Sequence, residues 1–515
     1  LRTGPEPKVS LGRQGIEERT GRFAGGLVDD VKRRLPHYID DFRQGLRLQS
    51  LAATIFLFFA CFTAALTFGA IMAGGTGGAI GVSEMLLVTA VGGILFALFG
   101  GQPLMILGGI GAVLIFTTIL YDQSVSWGLP FLPVYGWVGL WAGFFTNLVV
   151  VTDSSVWLSY LTRFTDEVFV VLTAVIYLEK AVRLIAHSFE VKDYATALST
   201  VVLSVGTCGI AIFLRDFRSR TFLRSWARNF LADFGTVIAI GVMAWLAWTM
   251  KTSTNLDHVQ LSGAGDLSLS LVDLTALPLK WILLCALPGA FLAILIFLSQ
   301  QITGRVCNAA DLNLTKGPGY HLDLFVVGVL LIISSLFGLP WLVAATVRSL
   351  NHVQALSSSH ALDTEDGGHV MIDRVLENRL SAIGIHVLIA CSLLLAKIPM
   401  ACLYGIFLYM GYVSFSGNQL FQRLTLWFQD PNLYPPTHYL RKVPTRTVHI
   451  FTAIQFAALA LLCGVQYSQL ALFFPLFLGL MVPIRLMMDR VLDPAHVAIL
   501  DAEETVEREF EHAGL

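Results

Sequence analysis

Arg348 is the residue whose type and place most strongly imply chemistry. It sits in "FGLPWLVAATVRSLNH" (337–352), an otherwise largely apolar stretch interrupted by Gly338 and Pro340. A guanidinium stays charged at any physiological pH. It offers a planar fork of N–H donors that matches bicarbonate, carbonate or another oxyanion at two points. Glycine tolerates unusual backbone angles and proline removes a backbone donor, so the stretch should interrupt a helix ahead of the arginine. The free N–H groups and positive dipole end of the half-helix that follows favour an anion too. Two other uses of Arg348 stay open at this level: a pair with a carboxylate, or a side chain that snorkels to the aqueous surface.

A second stretch repeats the pattern. "LFGGQPLMILGGIGAVLIF" (98–116) and "LFGLPWLVAATVRSL" (336–350) each run Leu-Phe-Gly, then proline within three residues, then small apolar residues. Gly109, Gly111 and Ala112 in the first, and Ala344, Ala345 and Thr346 in the second, would let a small ligand reach the backbone. Interrupted apolar segments in matching positions of two halves point to the binding site of a transporter, formed where two half-helix N-termini meet near mid-membrane. Arg348 falls about two turns into the second of these segments.

The elements that must position these residues are membrane spans. The 515 residues are 55% apolar and only 14% charged, with a mean hydropathy of +0.69; a soluble protein carries roughly a quarter charged residues. Apolar runs long enough to cross a bilayer recur from about residue 50 to 488. The expected spans are 50–72, 84–100, 103–121, 134–151, 166–187, 196–214, 232–250, 277–301, 322–337, 340–353, 379–396, 400–420, 447–464 and 468–488. This predicts an all-α polytopic membrane protein with fourteen segments. The two interrupted segments are each the third of a seven-segment half. Seven is odd, so the second half enters from the opposite side, which makes an inverted repeat.

Charge supports that count. Arg215, Arg218, Arg220, Arg224 and Arg228 fall in one loop, and Arg423, Arg441, Lys442 and Arg446 in another on the same expected side as Lys32, Arg33 and Arg34. The opposite-side loops 73–83, 122–133 and 465–467 have no Lys or Arg. The positive-inside rule therefore places both termini in the cytoplasm. The sequon at Asn313 then also falls inside. The expected organisation is a short polar cytoplasmic segment (1–48), a first seven-span repeat (49–250), an extracellular loop (251–276), a second repeat (277–490) and an acidic cytoplasmic tail (491–515). That tail reads as a solvated helix, or as a docking helix if the chain were a scaffold.

Other functions find little support. A net charge of −2 suggests no nucleic-acid partner. No Walker A loop, H-E-x-x-H or C-x-x-C is present, so neither an enzyme, a cofactor nor a metal is expected. Most of the seven cysteines lie in apolar spans, as small hydrophobes do. Glu84, Asp153, Glu179 and Asp233 sit near span ends, where caps and ion pairs are the simpler reading. His321, His352, His386 and His449 read as structural histidines.

Several stretches together resemble one family, the bicarbonate transporters and anion exchangers. They are "GLVDDVKRRLPHYIDDF" (26–42), "GVSEMLLVTAVGGILFALFGGQPLMILG" (81–108), "KGPGYHLDLFVVG" (316–328), "LFGLPWLVAATVRSLNHVQAL" (336–356), "IPMACLYGIFLYMG" (398–411) and "MVPIRLMM" (481–488). The resemblance implies a 7+7 inverted repeat split into core and gate domains, a homodimer through the gates, an elevator-like movement of the core, and residence in the plasma membrane. It places the anion site at Thr67 and Phe68, at Gly111, Ala112 and Val113, and at Ala345, Thr346, Val347 and Arg348. Two positions depart from the family. Ser299, in "IFLSQQIT" (296–303), stands where exchangers carry Glu and sodium cotransporters Asp, and Gln466 stands where the animal exchanger has a lysine. Animal members also carry a large N-terminal cytoplasmic domain, against about 45 residues here. A hydroxyl at 299 can bind an anion but cannot titrate or neutralise sodium. The expectation is bicarbonate/chloride-type exchange, with sodium- or proton-coupled bicarbonate or borate transport as the alternative.

Overall fold

The computed structural model describes residues 22–501 apart from 154–161, 218–221, 225–226, 229–230, 233, 251–255, 257–269, 309–311, 313, 363–368, 393–398, 416–417, 436, 467, 469–476 and 478. Asp233, the sequon at Asn313, most of the loop 251–276 and the tail from residue 502 lie outside the described residues. The fold is mostly helical. In chain order the helices are α1 (Gly25–Arg34), α2 (Tyr38–Gly45), α3 (Leu48–Gly75), α4 (Val82–Phe99), α5 (Gly111–Ser126), α6 (Phe131–Val151), α7 (Arg163–Val191), α8 (Tyr194–Asp216), α9 (Gly235–Thr249), α10 (Leu279–Leu284), α11 (Ala286–Cys307), α12 (Tyr320–Leu336), α13 (Thr346–Leu356), α14 (Leu380–Ser392), α15 (Met400–Phe415), α16 (Gln419–Thr425), α17 (His438–Lys442), α18 (Thr445–Gln466), α19 (Met481–Val491) and α20 (Pro494–Leu500). Among the described residues, six helical stretches are long and apolar enough to cross a membrane: Leu48–Gly75, Val82–Phe99, Phe131–Val151, Tyr194–Asp216, Leu279–Cys307 and Thr445–Gln466.

Two packing groups organise these helices. In one, α6 packs on α11 and α12, α4 and α14 pack on each other and on α3, and α13 lies between α3 and α11. In the other, α15 packs on α7 and α8, α8 on α9, and α18 on α7. The groups meet mainly where α9 and α15 touch α3 and where α7 touches α5.

The two interrupted segments come together. Strand β1 (Leu107–Gly108) pairs antiparallel with β2 (Val343–Ala344), with Leu107 opposite Ala344 and Gly108 opposite Val343. The Ala345 N–H donates to the Ile106 carbonyl at 2.9 Å, extending the pair by one rung. Helices α5 and α13 start immediately beyond this crossing. Arg348 is therefore the third residue of its helix, in the first turn, rather than two turns in. Val343 and Ala344 pair with Gly108 and Leu107, and the Ala345 N–H is spent on Ile106, so these residues stay extended and the helix starts later than its apolar run.

The N-terminal segment closes one end of the first group. Asp41, fully buried, accepts from Lys316 Nζ at 2.6 Å and Arg379 Nε at 3.0 Å, and lies 3.5 Å from Arg34 Nη2. Arg34 also reaches Glu377 Oε2 at 3.2 Å. Glu377 Oε1 in turn accepts the backbone N–H groups of Thr315 and Lys316. Asp30 accepts the His321 and Leu322 amides at 2.7 and 3.1 Å, capping the start of α12. A buried charge is tolerated when paired and hydrogen-bonded. Here a short helical segment is tied by such pairs to chain almost three hundred residues away.

Candidate functional site

The first-turn N–H groups of a helix have no partner within it. Both half-helices begin without a side-chain cap: the residue before α5 is Ile110 and the one before α13 is Ala345, each in extended conformation. The antiparallel crossing sets these two uncapped ends side by side. Their partial positive charges add at one place, inside the first packing group.

Arg348 adds a full charge there. It is 9% exposed. Its Nη2 donates to the Gly109 carbonyl at 2.5 Å, across the crossing. Its Nη1 is buried and has no hydrogen-bond partner among the described residues. The Cys61 thiol of α3 lies within hydrogen-bonding reach of the guanidinium and the Tyr177 hydroxyl of α7 lies nearby, and neither carries a negative charge at neutral pH. Among the described residues no carboxylate pairs with the guanidinium, and its burial leaves no route to snorkel. Both competing uses of Arg348 are thus set aside for the described chain. A methyl group placed on Gly108 would lie 2.2 Å from Nη1, so only glycine leaves the guanidinium room.

The remaining expected site residues gather around this point in different ways. Gly111, Ala112 and Val113 form the first turn of α5, and all three are buried. Ala345 precedes α13 and Thr346 opens it. The Thr346 hydroxyl lies 2.8 Å from that of Thr303 on α11, which donates to the Ser299 carbonyl one turn earlier. Ser299 is buried on the face of α11 turned towards α13, since residues four apart share a face. Thr67 is buried, but its hydroxyl donates to the Thr63 carbonyl of its own helix at 2.7 Å. The Phe68 ring lies against Gly109. Val347 departs from the expectation: its side chain is 66% exposed, so only its backbone N–H belongs to the enclosed first turn.

Three contributors were not singled out from the sequence. Gln300 Oε1 accepts the Ala344 N–H at 3.1 Å and so holds the crossing. Ser349 accepts the Ile106 N–H at 3.0 Å and donates to Ala345 at 2.9 Å. Tyr177 reaches the start of α5 from the other packing group. A glutamine in an apolar span and a repeated small-residue run were the available signals for the first two. Nothing local marks Tyr177.

Four of the weaker candidates have structural partners. Glu84 caps α4 by accepting the Gly81 N–H at 2.9 Å. Glu179 pairs with Arg183. Asp153 accepts the Gly26 N–H at 3.0 Å. His352 bridges the Leu104 carbonyl (2.9 Å) and the Ser381 hydroxyl (2.7 Å). No group of His, Cys, Asp and Glu suited to a metal occurs among the described residues.

The arrangement can hold a small anion by one guanidinium nitrogen and by amides from two helix ends. The rat (Rattus norvegicus) Band 3 anion transport protein is 36% identical over 94% of this chain and 56% of its own length. The mouse (Mus musculus) anion exchange protein 3 is 36% identical over 99% of the chain and 46% of its own. Human (Homo sapiens) Band 3 is 34% identical over 95% and 57%. The chain thus spans about half the length of the curated relatives it matches, which are anion transport and exchange proteins rather than enzymes. The fold is shared with the transmembrane domain of a cyanobacterium bicarbonate transporter, BicA (TM-score 0.57, 16% identity, 81% of this chain and 97% of that one). It is shared too with SLC26A9 (TM-score 0.60, 12% identity, 94% and 73%). The family model for the HCO3- transporter integral membrane domain matches residues 22–195 and 184–505. This chain belongs to that family.

Proposed function

We propose that the chain is a secondary transporter of small inorganic anions, exchanging bicarbonate for chloride or a similar anion across a lipid bilayer. The observation that carries this reading is Arg348 Nη1, buried without a hydrogen-bond partner among the described residues where the uncapped N-termini of α5 and α13 meet. An orphaned buried charge costs several kcal/mol in a membrane. A bound anion supplies what the chain does not.

The finer architecture belongs to the same proposal. The fourteen apolar segments are two inverted seven-span repeats, with both termini cytoplasmic and the chain in the plasma membrane. The group holding α5 and α13 is the core, the group holding α7, α8 and α15 is the gate, and gates pair in a homodimer. The core carries the anion past the gate in an elevator-like movement. The charge balance favours exchange: with Arg348 present and a hydroxyl at Ser299 in place of a carboxylate, the empty site is near +1. A monovalent anion cancels that charge, so the loaded core crosses easily and the empty core poorly. Ser299 also removes the group that a sodium- or proton-coupled bicarbonate or borate transporter would use there.

The test uses purified protein in sealed liposomes without sodium, following labelled bicarbonate efflux. Efflux that needs chloride or bicarbonate outside, and that disappears in Arg348→Ala, is the expected result. Efflux indifferent to the outside anion contradicts exchange.

A further inference from the structure

Tyr177 is the gate-side residue that enters the site. It comes from α7, whose other neighbours are α8, α15, α16, α18 and α19, and it is 4% exposed. A methyl group placed on Gly111 would lie 2.2 Å from Tyr177 Oη and 2.6 Å from Cζ. The hydroxyl therefore rests against the first residue of α5, in the neighbourhood of the Gly111 amide. The ring is fixed from both groups, with its centroid 6.4 Å from that of Phe68 on α3 and 5.6 Å from that of Phe407 on α15. Contact between α7 and α5 is one of the few places where the groups meet.

The Gly111 amide is also one of the donors an anion would use. The Tyr177 oxygen and the anion thus compete for one N–H, and only the oxygen is tied to the other packing group. We infer that Tyr177 is a tether that seats its hydroxyl oxygen on Gly111 when the site is empty and is displaced when an anion binds. This rests on the anion-site reading above and deepens it by linking occupancy to release of the core. With the site empty, the core is held to α7 by the tyrosine. With an anion bound, the amide is occupied, the tether is lost and the core is free to move. Tyr177 acts here as a positioning residue and is not required to touch the anion.

The experiment titrates external bicarbonate against labelled bicarbonate efflux from liposomes for wild type, Tyr177→Phe and Arg348→Ala, and measures efflux into anion-free medium in parallel. Tyr177→Phe keeps the ring between Phe68 and Phe407 and removes only the competing oxygen. Its half-saturating concentration should fall about fivefold, the effect of one ordinary hydrogen bond. Its maximal exchange rate should not rise with it, and its efflux into anion-free medium should increase relative to exchange. An unchanged half-saturation with an unchanged ratio of net efflux to exchange overturns the tether, because a purely structural tyrosine would behave so. A raised half-saturation overturns it too, since Tyr177 would then be donating to the anion. Arg348→Ala separates the two claims: lost flux there with unaltered Tyr177→Phe kinetics removes the tether alone, whereas wild-type kinetics in Arg348→Ala removes the site reading beneath it.

Discussion

Arg379 and Arg348 are both buried arginines in the first packing group, and they are treated in opposite ways. Arg379 donates to Asp41 at 3.0 Å and to the Ala97 and Gly100 carbonyls at 2.8 and 2.9 Å, and it lies over the Tyr38 ring. Arg348 has one carbonyl and no carboxylate among the described residues. The first region uses charge to fix the fold: Asp40, Asp41 and Glu377 pair with Arg34, Lys316 and Arg379. The second leaves charge incomplete. Burial alone does not distinguish a structural cation from a binding one. The inventory of partners does.

The sharpest way to break this comparison is to remove one acid from the complete region. Asp41→Asn would leave Lys316, Arg34 and Arg379 facing each other without their shared carboxylate. Taking away one partner of a buried ion pair costs about 3–5 kcal/mol, so the variant should melt well below wild type in detergent and accumulate poorly. A melting point near that of wild type would mean the cluster does not hold the fold.

Gln300→Leu comes next. It orphans the buried Ala344 N–H at the crossing, a loss of about 1–3 kcal/mol. Its stability loss should be smaller than that of Asp41→Asn, and its anion affinity should fall because the two helix ends lose their register. Gly108→Ala is the subtler probe. The added methyl would meet Nη1 at 2.2 Å and displace the guanidinium, so exchange should drop about tenfold or more, the effect of roughly 1.4 kcal/mol, with little change in melting. Loss of stability with transport intact would show the glycine to be a packing residue only.

The smallest effect concerns pH. Asp40, 46% exposed at the edge of the cluster, is held below its ordinary range chiefly by a hydrogen bond from Lys316. A depressed carboxyl lends stability above its unfolded pKa and loses it as pH falls through the folded one. Wild type should therefore soften at the acid end of a melting series slightly more than Asp40→Asn. Screening keeps this well below the effect of Asp41. Parallel pH curves would show that the Lys316 contact contributes nothing.

Much of this was legible in the sequence because it depends on backbone breaks. Gly338, Pro340 and the repeated Leu-Phe-Gly announce the interruption, and a lone arginine in an apolar run announces a site. The exact start of α13 was not legible, since only the pairing of 343–345 with 106–108 delays it. Val347 could not be assigned a direction without knowing that start. Tyr177 looked like any aromatic residue in an apolar helix until α7 was packed on α5, and Gln300 acquires its meaning only from the strand it holds. Glu84 and Asp153, by contrast, were readable as end-of-helix acids from position alone.

The central claim is that Arg348 is a charge left for a ligand to complete. It is tested most directly by melting wild type and Arg348→Gln in detergent across a bicarbonate or chloride series. The account predicts that Arg348→Gln melts no lower than wild type without anion, since it removes an unpaired buried charge, and that it loses the stabilisation wild type gains with anion, about 1.4 kcal/mol per tenfold concentration above Kd. An Arg348→Gln protein that melts early, as Asp41→Asn should, or that keeps the full anion-dependent rise, would contradict it.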